Sequence, residues 1–191
     1  MSEIKNRLSE VIGDGIKGWA DVEPGQQRLI MSVIASEQPP DWMALPSTAA
    51  ELGAVMAIAA KQNWRVLPMG QGSKIGWGGL AEGIDLVVST ARLNRVIDHA
   101  VGDFTVTVEP GLKVADLQRV LAEQQQFLAI DPAFEGRATV GGVVATGDTG
   151  SLRQRYGGLR DMLIGVQFAR YDGELARAGG RVVKNVAGYD L

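Results

Sequence analysis

Residues 70–79 read Gly-Gln-Gly-Ser-Lys-Ile-Gly-Trp-Gly-Gly and follow a short apolar segment, Arg65 to Met69. Glycine at 70, 72, 76, 78 and 79 leaves the backbone free to enter positive φ and to approach a ligand with no Cβ in the way. Ser73 adds a hydroxyl and Lys74 an ammonium. Successive exposed N–H groups, a hydroxyl and a cation are what a pyrophosphate needs. An ordinary glycine-rich surface loop explains the same stretch equally well. The rest of the chain decides between them.

Upstream, Ser47 to Asn63 is the clearest helix. Thr48 and Glu51 have capping-box spacing, and Leu52, Val55, Met56 and Ala59 form one apolar stripe. Gln26 to Ser36 predicts another helix, with Leu29, Ile30, Val33 and Ile34 on one face, and Pro39-Pro40 then forces an extended connection. Leu8, Val11 and Ile12 line a short first helix that Gly13 and Gly15 end. Arg65 to Pro68 reads as a buried strand entering the glycine loop. Downstream, Ile84 to Ser89 is an apolar strand, and Val96–His99 and Phe104–Glu109 are two more. In the last of these Phe104, Val106 and Val108 alternate with Thr105 and Thr107. Lys113 to Gln125 is an amphipathic helix, and Phe127 to Pro132 a short strand and turn. A second glycine-rich stretch, Thr139 to Gly150, reads TVGGVVATGDTG. Asp172-Gly173 joins two alternating segments in the strongest short hairpin signal. Helices and strands partly mixed and partly segregated fit an α+β fold of two small lobes.

Composition narrows the chemistry. Glycine supplies 25 of 191 residues, about twice the usual ~7 %, with no collagen period, which implies tight turns and close approaches to a ligand. The net charge is −3 and no basic face is evident, so nucleic acid is not an expected partner. With no cysteine, disulfides, thiol nucleophiles and a cysteine-held iron–sulfur cluster within this chain are excluded. The single histidine, His99, argues against a zinc site and has no partner motif for catalysis. No apolar run is long enough to span a membrane and the N-terminus has no signal-peptide core, so a cytoplasmic location is the expectation.

The glycine loop is not a Rossmann fingerprint, which needs a helix starting at the last glycine. Here Trp77-Gly78-Gly79 follows. A Walker loop is excluded as well, since Lys74 follows Ser73. Two glycine-rich stretches suit one ligand with a pyrophosphate in its middle and a flat ring at one end.

PMGQGSKIGWGG, DLVVSTARLNRVID, VTVEPGLKVADLQRVL, LAIDP, ATVGGVVAT, RYGGLRDMLIGVQFARYDGE and GGRVVKNVAGYDL occur in that order. Together they resemble the FAD-binding domain of the vanillyl-alcohol oxidase and p-cresol methylhydroxylase (PCMH-type) superfamily, and within it the FAD-binding subunits of bacterial glycolate oxidases. Single pieces are weakly specific; seven in order are strongly so. The resemblance runs from about Pro46 to Leu191. It implies a helical N-terminal extension at 1–38 and a two-lobed FAD-binding domain at 39–191, incomplete at its C-terminus.

The resemblance also implies a site. Met69, Gly70, Gln71, Gly72, Ser73, Lys74 and Ile75 would wrap the FAD pyrophosphate, and a side chain at Gly72 would occupy the phosphate's space. Pro132 would lie near the dinucleotide. Thr139, Val140, Gly141 and Gly142 would pass along the isoalloxazine and ribityl chain, with Thr146, Gly150, Ser151 and Tyr156 continuing that wall. Residues 184–191 would brace the site from below. Met69 stands where many relatives have arginine, so a phosphate contact is expected to be missing. Ser73 stands where covalent members carry histidine, so the FAD is expected to be non-covalent. Among residues with blander readings, Asp131 is a turn former, Glu109 ends an exposed strand or meets a ribose, and Trp77 is the tryptophan to test as a ring stacker. Arg153, Arg155 and Arg160 form a solvated face or meet a partner.

The implied activity is oxidation of a 2-hydroxy acid, with the flavin taking a hydride. No residue is identified as the catalytic base, and no metal is called for. Electrons would leave to other subunits of a glycolate-oxidase-like complex, a second flavin subunit and an iron–sulfur subunit, peripheral at the inner membrane face. Two alternatives stand beside this: a flavin-less scaffold subunit of such a complex, and, more weakly, a nicotinamide-dependent dehydrogenase.

Overall fold

The structure, a computed structural model, describes residues 2–180. The brace expected at 184–191 lies outside the described residues. In chain order the elements are α1 (Ser2–Ile12), β1 (Ile16–Gly18), α2 (Pro24–Met31), β2 (Trp42–Ala44), α3 (Ala49–Lys61), β3 (Val66–Met69) and β4 (Leu86–Ser89). Then come β5 (Val96–Ala100), β6 (Thr105–Val108), α4 (Val114–Ala122), α5 (Val140–Thr146), the one-turn helices α6 (Arg153–Tyr156) and α7 (Leu159–Met162), β7 (Gly165–Ala169) and β8 (Leu175–Gly179).

The apolar run at 86–89 becomes the middle of the first sheet. That sheet has the order β1-β2-β4-β3, with β4 parallel to both neighbours and β1 antiparallel to β2. Every residue of β4 is buried, as a strand covered on both faces requires. Leu86 and Val88 face Leu8, Ile12, Val55 and Ala59 of α1 and α3. Val87 faces the other way, toward Ile30, Met43 and Met69. Each side chain so buried contributes roughly 1.5–3 kcal/mol by leaving water. The stretch 2–38 is built into this layer, because α1 lies on α3 and β1 extends the sheet.

The second group of elements packs α4 and α5 against the β5–β6 hairpin. Leu112, Leu117 and Leu121 meet Val96, Val106 and Val108, while Val114, Ile130, Ala138 and Val143 form an adjoining cluster. The β7–β8 hairpin forms at Asp172-Gly173 as the sequence predicts, in full five-pair register. Its turn docks on α3, where a Cβ at Gly53 would stand 2.7 Å from the Gly173 carbonyl oxygen.

Three local expectations are corrected. The helix predicted over 26–36 stops at Met31. Ala35 N–H donates to the Ala81 carbonyl and Ala81 N–H to the Val33 carbonyl, so the chain returning from the glycine loop takes the backbone of 33–35 into a bridge. The strand predicted within 127–132 is absent. There the Gln118 side-chain amide stands in for a neighbouring strand, accepting from Leu128 N–H at 2.9 Å and donating to the Leu128 carbonyl at 2.7 Å. The second glycine-rich stretch is not a loop: its first half is α5. The Thr139 hydroxyl caps it by accepting from Gly142 N–H, and Gly147 at φ +64° ends it. The capping box of α3 forms with a shift of one residue. Thr48 Oγ1 accepts from Glu51 N–H, while the Glu51 carboxylate reaches the N–H of Ser47. That N–H holds the Glu51 carboxyl below its ordinary pKa.

Candidate functional site

The glycine loop leaves the sheet at the end of β3, whose partner β4 is fixed on both sides. Gly70 lies against α5: a Cβ there would come within 2.3 Å of Thr139 Oγ1. This close approach joins the two glycine-rich stretches. Gly72 is the glycine of 70–79 at positive φ, +69°. Its Cβ direction points inward to Leu29 Cδ2, 2.6 Å away, and to Met69. A side chain at Gly72 therefore meets the core under the loop, and the expectation that it would fill the phosphate's space is corrected. After Ser73 one 3-10 turn, Ile75–Trp77, is all the helix that follows, so the dipole of a Rossmann helix plays no part.

Side chains sort into inward and outward sets. Met69 is 6 % exposed and packs in the core with Ile30 and Val87, so only its backbone faces the loop surface. Ile75 is half-buried in the same cluster. Lys74 is buried, with its ammonium 2.9 Å from Asp148 Oδ2. Its charge is matched by that carboxylate, and the ammonium points toward Asp148. Trp77 is 54 % exposed, its ring centroid 5.6 Å from the same ammonium. What remains for an anion are the N–H groups of Gln71, Gly72 and Ser73, which among the described residues donate to no protein acceptor, and the half-buried Ser73 hydroxyl. That donor set fits a pyrophosphate.

The second stretch is held from behind. Val140 N–H donates to the Leu112 carbonyl and Gly141 N–H to the Pro110 carbonyl, both at 2.8 Å. Gly141 is glycine for space: a Cβ would sit 2.6 Å from Pro110 Cβ. Val140 packs half-buried toward α4. The Thr146 hydroxyl donates back to the Gly142 carbonyl at 2.8 Å. Buried Pro132 sits between two anchored residues. Asp131 accepts from the Ser151 hydroxyl and from Leu152 N–H, and Ala133 N–H donates to Asp148 Oδ2 at 2.9 Å. The Ser151 hydroxyl, then the Leu152 N–H, hold the Asp131 carboxyl below the usual range. Gly150, at φ +70°, lies so close that a Cβ would fall 2.0 Å from the Asp131 carbonyl oxygen. Asp131 thus ties residues 150–152 to the chain before Pro132, a long-range anchor in place of the local turn that the sequence predicts.

Thr139 meets both Gly70 and Gly142, Lys74 reaches the turn beside Pro132 through Asp148, and Gly150 and Ser151 close on Asp131. The structure does not tie Tyr156 to this group. Its ring packs edge-on to Phe127 and under Arg155. Glu109 is occupied by Arg95, whose N–H and guanidinium both donate to it and keep its carboxyl below the ordinary range, so it is not placed for a ribose. His99 Nε2 lies 2.9 Å from Gln126 Oε1, and Gln126 Nε2 donates to the Val101 carbonyl, a structural arrangement. Among the described residues no three acidic or histidine side chains are gathered to hold a metal, and no helix is long and apolar enough to cross a membrane. Asp148, Leu29 and Pro110 are the contributors that sequence reasoning missed. Asp148 alone left a signal, an acid in one glycine stretch matching a lysine in the other.

Comparison with known proteins gives the same assignment. The family described as FAD binding domain matches residues 40–179. The chain is 28 % identical over 192 residues to glycolate oxidase subunit GlcD of Bacillus subtilis, covering 99 % of this chain and 40 % of that protein. It is 33 % identical over 149 residues to a D-2-hydroxyglutarate dehydrogenase of Xanthomonas citri, covering 78 % and 32 %. A mitochondrial D-lactate dehydrogenase (cytochrome) of Arabidopsis thaliana is 30 % identical over 152 residues, covering 80 % and 26 %. The chain thus spans about two fifths or less of these relatives. Among solved structures, alkyldihydroxyacetonephosphate synthase superposes with TM-score 0.74 at 21 % identity, covering 95 % of this chain and 34 % of that one. A berberine bridge enzyme variant gives 0.75 at 17 %, covering 93 % and 37 %. These two likenesses are of fold alone. The chain belongs to the FAD binding domain family, and its cofactor is FAD.

Proposed function

We propose that the protein holds FAD non-covalently, with the pyrophosphate at 70–75 and the isoalloxazine and ribityl chain along 139–151. On this reading it is the flavin-bearing part of an oxidoreductase acting on 2-hydroxy acids. The observation that carries the reading is the contact of Gly70 with Thr139, which brings the two glycine-rich stretches onto one surface. FAD supplies two-electron acceptance at its ring, and the protein supplies position and electrostatics. The N–H groups of Gln71, Gly72 and Ser73, with the Ser73 hydroxyl, bind phosphate oxygens. Thr139 holds Gly70 at a fixed distance from α5, so phosphate and ring are positioned together. Ser73 lacks the ring nitrogen that would attach a flavin covalently, so the cofactor remains exchangeable.

The substrate class rests on relatives named for glycolate, D-2-hydroxyglutarate and D-lactate. With no cysteine in the chain, electrons leave to a separate subunit that carries the iron–sulfur clusters, in a glycolate-oxidase-like complex on the cytoplasmic side. The test is anaerobic addition of glycolate, D-lactate and D-2-hydroxyglutarate to the flavin-loaded protein, followed by visible absorbance. Bleaching by one of the three is expected. A folded, flavin-loaded protein bleached by none of them would sink the 2-hydroxy-acid reading.

A further inference from the structure

Lys74 lies in the phosphate-binding loop, yet its side chain is 5 % exposed and its ammonium is committed to Asp148 at 2.9 Å. Among the described residues the ammonium has no hydrogen bond of acceptable angle, so the contact is charge against charge. The Asp148 side chain is itself only 12 % exposed, and its Oδ2 also accepts from Ala133 N–H at 2.9 Å. One carboxylate therefore fixes three segments: the loop of 70–79, the turn after Pro132 and the chain leaving α5. Trp77 lies over the ammonium on a further side. The pair as a whole is neutral, so its field at a neighbouring phosphate is far weaker than that of a lone lysine.

We propose that Lys74 is not a phosphate ligand but one half of a buried brace, Lys74–Asp148, that holds the flavin-binding segments in register and sets flavin affinity by position. The proposal rests on FAD binding across those segments. Removing the charge of one partner leaves the other as an uncompensated buried charge, whereas neutralising both removes the charges together. Lys74 and Asp148 are thus positioning residues, and a phosphate ligand would behave differently in each variant.

The experiment measures affinity for FAD and for riboflavin, which has no phosphate, by flavin fluorescence quenching on the purified protein, with circular dichroism to confirm folding. The variants are Lys74→Met, Asp148→Asn and the double Lys74→Met/Asp148→Asn, in which the amide oxygen still accepts from Ala133 N–H. The brace predicts that each single change weakens FAD and riboflavin alike by about tenfold, and that the double variant recovers to within about threefold of the unsubstituted protein. The brace is overturned if Asp148→Asn binds FAD as tightly as before or tighter while Lys74→Met and the double variant lose FAD but keep riboflavin. Unchanged affinity in all three variants overturns it equally. Where a single variant does not fold, the double variant decides by the same criterion. A folded, unsubstituted protein that binds neither flavin removes the FAD reading and the brace with it; one that binds both, with variants unchanged, removes the brace alone.

Discussion

Residues 70–79 and 139–150 look alike as sequence and fold differently. Each is rich in glycine. The first is a loop with one 3-10 turn; the second opens as a capped helix and becomes irregular only after Gly147. Glycine has separate duties in the two. At Gly72 and Gly150 it supplies a left-handed backbone, whereas at Gly70 and Gly141 it makes room for Thr139 and Pro110. At Gly78 and Gly79 a Cβ would meet nothing within 4 Å among the described residues. Glycine count alone therefore says that a site is near, and the neighbours say which glycines build it.

Substitutions can break or sharpen that contrast. Gly150→Ala carries the largest expected effect: left-handed strain of roughly 1–2 kcal/mol combines with a collision 2.0 Å from a backbone oxygen that cannot rotate away. Urea unfolding should show a loss above about 2 kcal/mol, and a smaller loss would mean that the 147–151 segment adapts freely. Gly72→Ala comes next, at about 1–2 kcal/mol, because Leu29 Cδ2 is the end of a side chain that can shift. Thr139→Ala should cost about 1 kcal/mol through loss of the α5 cap, read in the same unfolding experiment. Gly79→Ala should stay within ~0.5 kcal/mol in stability. A large loss there would place Gly79 among the glycines that the fold requires.

The smallest effect concerns acid. The Asp131 carboxyl is lowered by the Ser151 hydroxyl and the Leu152 N–H, so its folded pKa lies below the unfolded value of ~3.9. Its contribution is fully present above that unfolded value and is lost as pH falls through the lowered folded one. Asp131→Asn should therefore reduce the loss of stability on acidification, measured by denaturant midpoints at neutral pH and near pH 3. An unchanged acid dependence would show that Asp131 is not protonated in step with unfolding.

Much of the architecture was legible because it rests on local pattern. The stripe and cap at 48–59 and the Asp172-Gly173 turn each became the element that they predict, and the alternation in 104–109 did so over Thr105–Val108, with Phe104 left outside the strand at φ +55° and 81 % exposed. The misreadings share one cause, a partner distant in sequence. Ala81 ended α2 early, Gln118 replaced a strand at Leu128, and Pro110 made Gly141 a packing glycine within a helix. Site residues named by resemblance, such as Gly70 and Thr139, fell together, but the directions of their neighbours did not follow from the motif. Met69 and Gly72 point into the core, and Lys74 points to Asp148. A motif gives the path of the backbone; the packing beneath it decides where the side chains go.

The most direct test of the central claim is flavin retention. The purified protein is mixed with FAD, desalted and read by visible absorbance, then acid-precipitated and the supernatant read again. The account predicts flavin bands that survive desalting and pass entirely into the supernatant, as a non-covalent site formed by 70–75 and 139–151 requires. Protein that is folded by circular dichroism yet colourless would contradict it and favour the scaffold reading, and flavin left in the precipitate would contradict the non-covalent attachment.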